Sequence, residues 1–126
     1  MIVMGTSGCI TILADAPNAD AFDARISRAD VVIVPTPVLY EVYKITSREH
    51  SSGMADRAGA QLRTHRIADL THNIALVAVD ASLAHGLAMA DAVVYATAQT
   101  HRATLVTGDE DFRELPGVEF IPLEDT

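Results

Sequence analysis

Val31-Val32-Ile33-Val34-Pro35-Thr36-Pro37 is the stretch on which the fold turns. Its first four residues are apolar without alternation, so a strand here is covered on both faces, as in the interior of a parallel sheet. Thr36-Pro37 then reads as a helix start, a capping hydroxyl followed by proline at the first helical position. That helix is expected to run to about His50. The same alternation continues outward. Residues 1–4 read as a short buried strand, Gly5 to Gly8 as a turn and residues 9–14 as helical. Residues 18–27 read as a helix, with Ala19, Phe22 and Ile26 on one face. Ser51 or Ser52 opens a further helix, to about Arg66. Residues 74–79 read as a strand, Asp80 as the cap of a short helix and residues 90–102 as a helix rich in small residues. Residues 104–107 and 118–121 read as strands. The expected fold class is α/β, with a central, mostly parallel sheet flanked by helices in three layers, and one domain over residues 1–126.

Composition sets the bounds. Of 126 residues, 49% are apolar and 21% charged, enough for a core and too apolar for a disordered chain. Residues 1–14 are the longest uncharged run, short of the roughly 20 that a spanning helix needs. No basic residue precedes Arg25, which disfavours a secretory signal. The lone Cys9 permits a reducing compartment, so a cytoplasmic location is expected and no membrane association. Seventeen acids against nine bases give a net charge of −8, which at first sight argues against nucleic acid. Yet residues 42–72 hold five bases and three acids, so the middle is locally basic.

In doubly wound parallel sheets the ligand site lies beyond the carboxyl ends of the strands. Acids cluster at such places. Glu41 shares a helix stripe with Val38, Val42 and Ile45; the plainer reading is a surface pair with Lys44. Asp91 lies in an almost uncharged helical stretch between alanines; the plainer reading is a helix cap. Asp109, with Asp111 two residues on, follows the strand at 104–107 across Gly108. Alone it reads as the cap of the turn at 110–114, but three successive acids repel each other and make a bound cation more plausible. A small set of hard oxygen donors suits Mg²⁺, with Mn²⁺ as an alternative, and metal-assisted phosphodiester hydrolysis. There is no P-loop, no zinc spacing and no His–Asp pair to serve Ser7 as a nucleophile; His85 and His101 read as structural or surface residues.

Taken in order, Met1-Ile2-Val3-Met4 before Thr6-Ser7, Glu41 in an early helix, Ala90-Asp91-Ala92 opening Val93-Val94-Tyr95-Ala96-Thr97-Ala98, and Leu105-Val106-Thr107-Gly108-Asp109-Glu110-Asp111-Phe112 resemble a PIN domain, over nearly the whole chain. The length resembles a VapC-type toxin of a bacterial toxin–antitoxin pair. The resemblance implies a PIN-like fold and a Mg²⁺-dependent endoribonuclease. It implies a homodimer inhibited by a VapB-type antitoxin, with DNA contacted only through that antitoxin. Glu41, Asp91 and Asp109 match the metal ligands, Asp111 a supporting catalytic acid, and Ser7 and Thr107 the flanking hydroxyls. The basic segment, Arg48 and Arg57 included, would then meet RNA phosphates. In one respect the chain departs from the family, whose first carboxylate is an Asp directly before Thr-Ser. Gly5 stands there, which implies weakened or lost turnover. Gly8 and Cys9 also replace more usual aliphatic residues.

Two further readings stand beside this one. The domain is a non-catalytic module that sequesters antitoxin or RNA, or an acidic phosphotransfer receiver. The receiver needs paired acids after the first strand, which residues 1–14 lack. The apolar trio Leu39, Tyr40 and Tyr43 is a candidate dimer contact.

Overall fold

The structure, a computed structural model, describes residues 1–123; residues 124–126 of the expected domain lie outside the described residues. In chain order the elements are β1 (Ile2–Met4), α1 (Thr6–Leu13), α2 (Ala19–Arg28), β2 (Val32–Pro35), α3 (Thr36–Glu49) and α4 (Ser52–Leu62). They continue with β3 (Arg66–Ala68), α5 (His72–His85), α6 (Met89–His101), β4 (Thr104–Thr107), a 3-10 turn (Glu110–Phe112) and β5 (Val118–Phe120). Among the described residues the five strands form one sheet in the order β3-β2-β1-β4-β5. All four pairings are parallel, with Val3 opposite both Ile33 and Leu105. Parallel neighbours cannot be joined by hairpins; α-helices carry the connections from β1 through to β4, and the 3-10 turn lies in the last one, from β4 to β5.

The apolar runs that announced the strands are buried. Val3, Ile33, Val34, Leu105 and Val106 are wholly shielded from solvent. On one side α6 is buried through Ala92–Ala98. Its Tyr95 packs against His85 edge-on and Phe112 face-on, and its hydroxyl donates to the Pro116 carbonyl at 2.6 Å. His101 bonds the Thr97 carbonyl, the structural role expected of it.

Several expected elements are redrawn. Residues 74–79 are helical, inside α5, and Asp80 is a mid-helix residue rather than a cap. A six-residue apolar run does not distinguish a strand from a buried helix; here its flanks decide. The Thr71 side chain accepts from Ile74 N–H at 3.1 Å, and Gly86, at φ 69°, ends the helix. The third strand is instead the edge segment β3. Helix α4 stops at Leu62, before the expected Arg66. Gly5–Gly8 is not a turn, because α1 begins at Thr6. Thr36 is the first helical residue of α3 and Pro35 the residue before it, with no side-chain cap. No single helix among the described residues is long and apolar enough to cross a membrane; α5 and α6 meet at a bend of 113°.

Gly8 has a packing reason. A Cβ there would run into Met4 Sδ and lie 2.8 Å from Phe22 Cδ1, because α1 sits closely on β1 and α2. Gly8→Ala is therefore expected to lower stability by about 1–3 kcal/mol. Gly53→Ala, on the open side of α4, where a Cβ meets only Ser51 Oγ at 3.9 Å, is expected to be neutral or to stabilise by up to about 1 kcal/mol. Urea midpoints of the two variants check the contrast.

Candidate metal centre

In the strand order β3-β2-β1-β4-β5, connections leave β1 and β4 toward opposite sides, which opens a crevice at their carboxyl ends. Gly5-Thr6-Ser7 follows β1 and Gly108-Asp109 follows β4, so both ends deliver polar groups into it. The result is a cavity of about 320 Å³. Its polar wall is Thr6, Ser7, Thr11, Glu41, Asp91, Thr107 and Asp109, and its apolar wall includes Ile10, Ile45, Val94, Phe112 and Leu123.

Each carboxylate is set by its own element. Glu41 turns inward from α3, and its Oε1 accepts from Thr6 Oγ1 at 2.7 Å. It is not paired with Lys44, whose ammonium lies over the Tyr40 ring instead, 5.7 Å from its centre. Asp91 stands in the first turn of α6, where N–H groups point outward and favour negative charge. It is not the cap, which is Ala88. Asp109 takes the expected capping role and also faces the cavity. Its Oδ1 accepts from Asp111 N–H at 2.9 Å, capping a 3-10 turn shorter than the expected 110–114. Behind it two hydroxyls fix the turn. Ser7 Oγ and Thr107 Oγ1 lie 3.2 Å apart; Ser7 Oγ accepts from Gly108 N–H at 2.9 Å, and Thr107 Oγ1 from Asp109 N–H at 3.1 Å.

The closest grouping among the described residues is Asp91, Asp109 and Asp111, with one carboxylate oxygen from each within 4.8 Å of the others. Asp111, expected only as a supporting acid, is thus in the trio. Glu41 lines the same cavity but stands outside that grouping. Among the described residues no Lys or Arg pairs with any of these four acids. The consequence appears at Asp91, whose pKa is pushed from 3.8 up to about 6, first by burial and then by the charges of Asp109, Glu41 and Asp111. Oxygen donors alone, few in number and short of positive charge, fit a hard divalent cation.

Gly5 takes no part beyond its backbone, its N–H donating to the Val106 carbonyl at 2.9 Å. A Cβ at this position would lie 3.2 Å from Thr107 Oγ1, so a side chain fits with a slight shift of that threonine. Arg48 and Arg57 are exposed on α3 and α4, and neither lines the cavity. Cys9, buried in α1 with its thiol pushed up to about 12 by desolvation, is inert. Thr6 escaped the sequence reading. The only signal for it was its place directly after a buried strand, beside Ser7.

The family model for the PIN domain matches residues 2–118. Among solved structures, a toxin–antitoxin complex from Klebsiella pneumoniae is similar at 25% identity and a TM-score of 0.81, covering 94% of this chain and 96% of that one. Mycobacterium tuberculosis VapC20, a sarcin–ricin loop cleaving toxin, is similar at 20% identity and a TM-score of 0.76, covering 96% and 97%. Rickettsia felis VapBC2, bound to a DNA fragment from its promoter, is similar at 19% identity and a TM-score of 0.75, covering 98% and 100%. Comparison with curated protein sequences finds no match.

The raised Asp91 makes a prediction about stability. The unfolded chain gives up this proton near pH 3.8 and the folded chain only near 6, so between those values the fold binds more protons and loses stability as pH rises. Asp91→Asn removes the cost. It is expected to stabilise the protein above pH 6, on the order of 1 kcal/mol because the group is half exposed, and to have little effect below pH 4. Urea unfolding at the two pH values measures the difference.

Proposed function

This chain belongs to the PIN domain family, and from that premise we propose that it is the ribonuclease toxin of a toxin–antitoxin pair, working through a divalent cation held in the acidic cavity. The observation that carries the reading is the trio Asp91, Asp109 and Asp111, gathered within 4.8 Å without a positive partner among the described residues. Mg²⁺ is the ion proposed, with Mn²⁺ able to replace it, and RNA the substrate. Bound there, the cation would supply charge neutralisation at the scissile phosphate and activation of water. The chain's own residues do the positioning. Asp91 and Asp109 would hold the ion, Asp111 and Glu41 complete the negative field, Thr6 orients Glu41, and the Ser7–Thr107 pair keeps the turn that presents Asp109.

The solved relatives that are themselves toxin–antitoxin complexes support an antitoxin of the VapB type as partner, with DNA reached through it. A second copy of this chain is the other proposed partner. Of the expected Leu39–Tyr40–Tyr43 contact, Leu39 packs against the core while Tyr40 and Tyr43 face solvent. Helix α5 carries apolar residues on every side, the pattern of a helix covered all round. Leu83 and Met89 stand 82% and 83% exposed at an apolar cleft that they share with Leu70, Val79 and Val93, a knob beside a hole that a two-fold mate would complete.

Gly5 favours a second reading, that of a fold that binds antitoxin or RNA without turnover, because the end of β1 offers no carboxylate. One experiment separates the two. Labelled RNA is incubated with Mg²⁺ or Mn²⁺ and the unaltered chain, the Gly5→Asp form, and Gly5→Asp with Asp91→Ala. The nuclease reading expects Gly5→Asp to raise cleavage about tenfold or more, and the added Asp91→Ala to lower it about a hundredfold. An inert Gly5→Asp form under either metal leaves the binding module. Leu83→Asp is expected to convert a dimer into monomers in analytical ultracentrifugation.

A further inference from the structure

We infer that Tyr40, Lys44 and Arg48 form a track along the edge of α3 that leads single-stranded RNA to the acidic cavity; the inference rests on the ribonuclease reading and names the surface it requires. A spacing of four puts the three side chains on one edge of the helix, about 12 Å from first to last. The edge borders the cavity, since Glu41 and Ile45, each the next residue after Tyr40 and Lys44, line it. Tyr40 is 63% exposed, so its ring is not a core residue, and Lys44 holds it in place from 5.7 Å above its centre. Glu41 has turned away to Thr6, which frees Lys44 from the pairing that helix spacing would otherwise give it. Among the described residues Arg48 pairs with Glu49 alone, at 3.4 Å with both side chains more than half exposed, a contact that a phosphate displaces readily.

The chemistry of this edge selects its ligand. A flat aromatic ring followed by two cations is what an unpaired strand needs, a face for a base to stack on and positive charge for the phosphates. A duplex keeps its bases stacked on each other and gains nothing from Tyr40. A peptide partner needs a pocket for an anchoring side chain, and none of the three residues lines either cavity described above. The track also answers the objection of net charge. In a chain of −8, residues 42–72 hold five bases to three acids.

Fluorescence anisotropy with a short, unstructured, labelled RNA and the full chain, in chelator so that nothing is cut, tests the track. Tyr40→Ala is expected to weaken binding about tenfold while Tyr40→Phe keeps it. Lys44→Gln and Arg48→Gln are each expected to lower the slope of affinity against salt by about one ion, whereas Arg28→Gln, an equal charge change on α2, leaves it unaltered. The same RNA annealed to its complement is expected to bind more weakly. Unchanged affinity in the three track variants, or equal affinity for the duplex, overturns the track and leaves the nuclease reading standing. Variants that keep RNA but lose the antitoxin overturn it in favour of a protein-docking edge. The expected losses, found together with an inert Gly5→Asp form, uphold the track and overturn the nuclease. An unaltered chain that binds no RNA overturns the track, and the cleavage assay with Mg²⁺ or Mn²⁺ then decides the nuclease reading separately.

Discussion

Like charges do not gather unless a scaffold holds them against their repulsion, and here the scaffold is the sheet. Asp91, Asp109 and Asp111 approach to within 4.8 Å although each would be better solvated apart. The force that keeps them together is remote from them. Apolar burial of Val3, Leu105 and Val106 locks β1 beside β4, and burial of Ala92 to Ala98 locks α6 across them. The electrostatic cost falls on Asp91, and its raised pKa records it. Stability and site chemistry therefore oppose each other at this point, a tension common where a fold prepares a charge for a ligand.

The hydroxyls make that arrangement rigid. Thr6 holds Glu41, Ser7 and Thr107 hold each other, and between them they accept two backbone N–H groups of the turn that carries Asp109. A carboxylate on a mobile loop would drift away from its neighbours. Tied at both ends, this one cannot. Gly5 sits in the midst of the network, with Thr107 only 3.2 Å from where its Cβ would be. A side chain placed at position 5 must therefore share space with a group that already has two bonds.

How much of this the sequence disclosed depends on where the deciding residues lie. Where an apolar run and its boundary were adjacent, as at Val31–Pro37, strand and helix were legible, and so was the parallel sheet. Residues 74–79 misled because the features that make them helical, the Thr71 cap and the Gly86 stop, stand outside the run. The edge strand at 66–68 was invisible, since its pattern is exposed, half-buried and buried over only three residues, beginning with an arginine. Among the acids, Asp91 stood out because its surroundings are uncharged, and Glu41 because it breaks an apolar stripe. Thr6 did not stand out, because a threonine's partner thirty-five positions away leaves no local trace. Nor did the stripe on α3, whose meaning depends on knowing that Glu41 has turned away from Lys44.

The burial of Tyr95 has a practical corollary. The chain holds three tyrosines and no tryptophan, so phenol emission is not drained to an indole. Tyr95 is shut between His85 and Phe112 with its hydroxyl bonded to Pro116, while Tyr40 and Tyr43 face solvent. A dissolved quencher reaches Tyr40 and Tyr43 and not Tyr95. The protein thus carries two optical reporters of its own, one reading the interior and one reading the surface beside the site, with no dye attached.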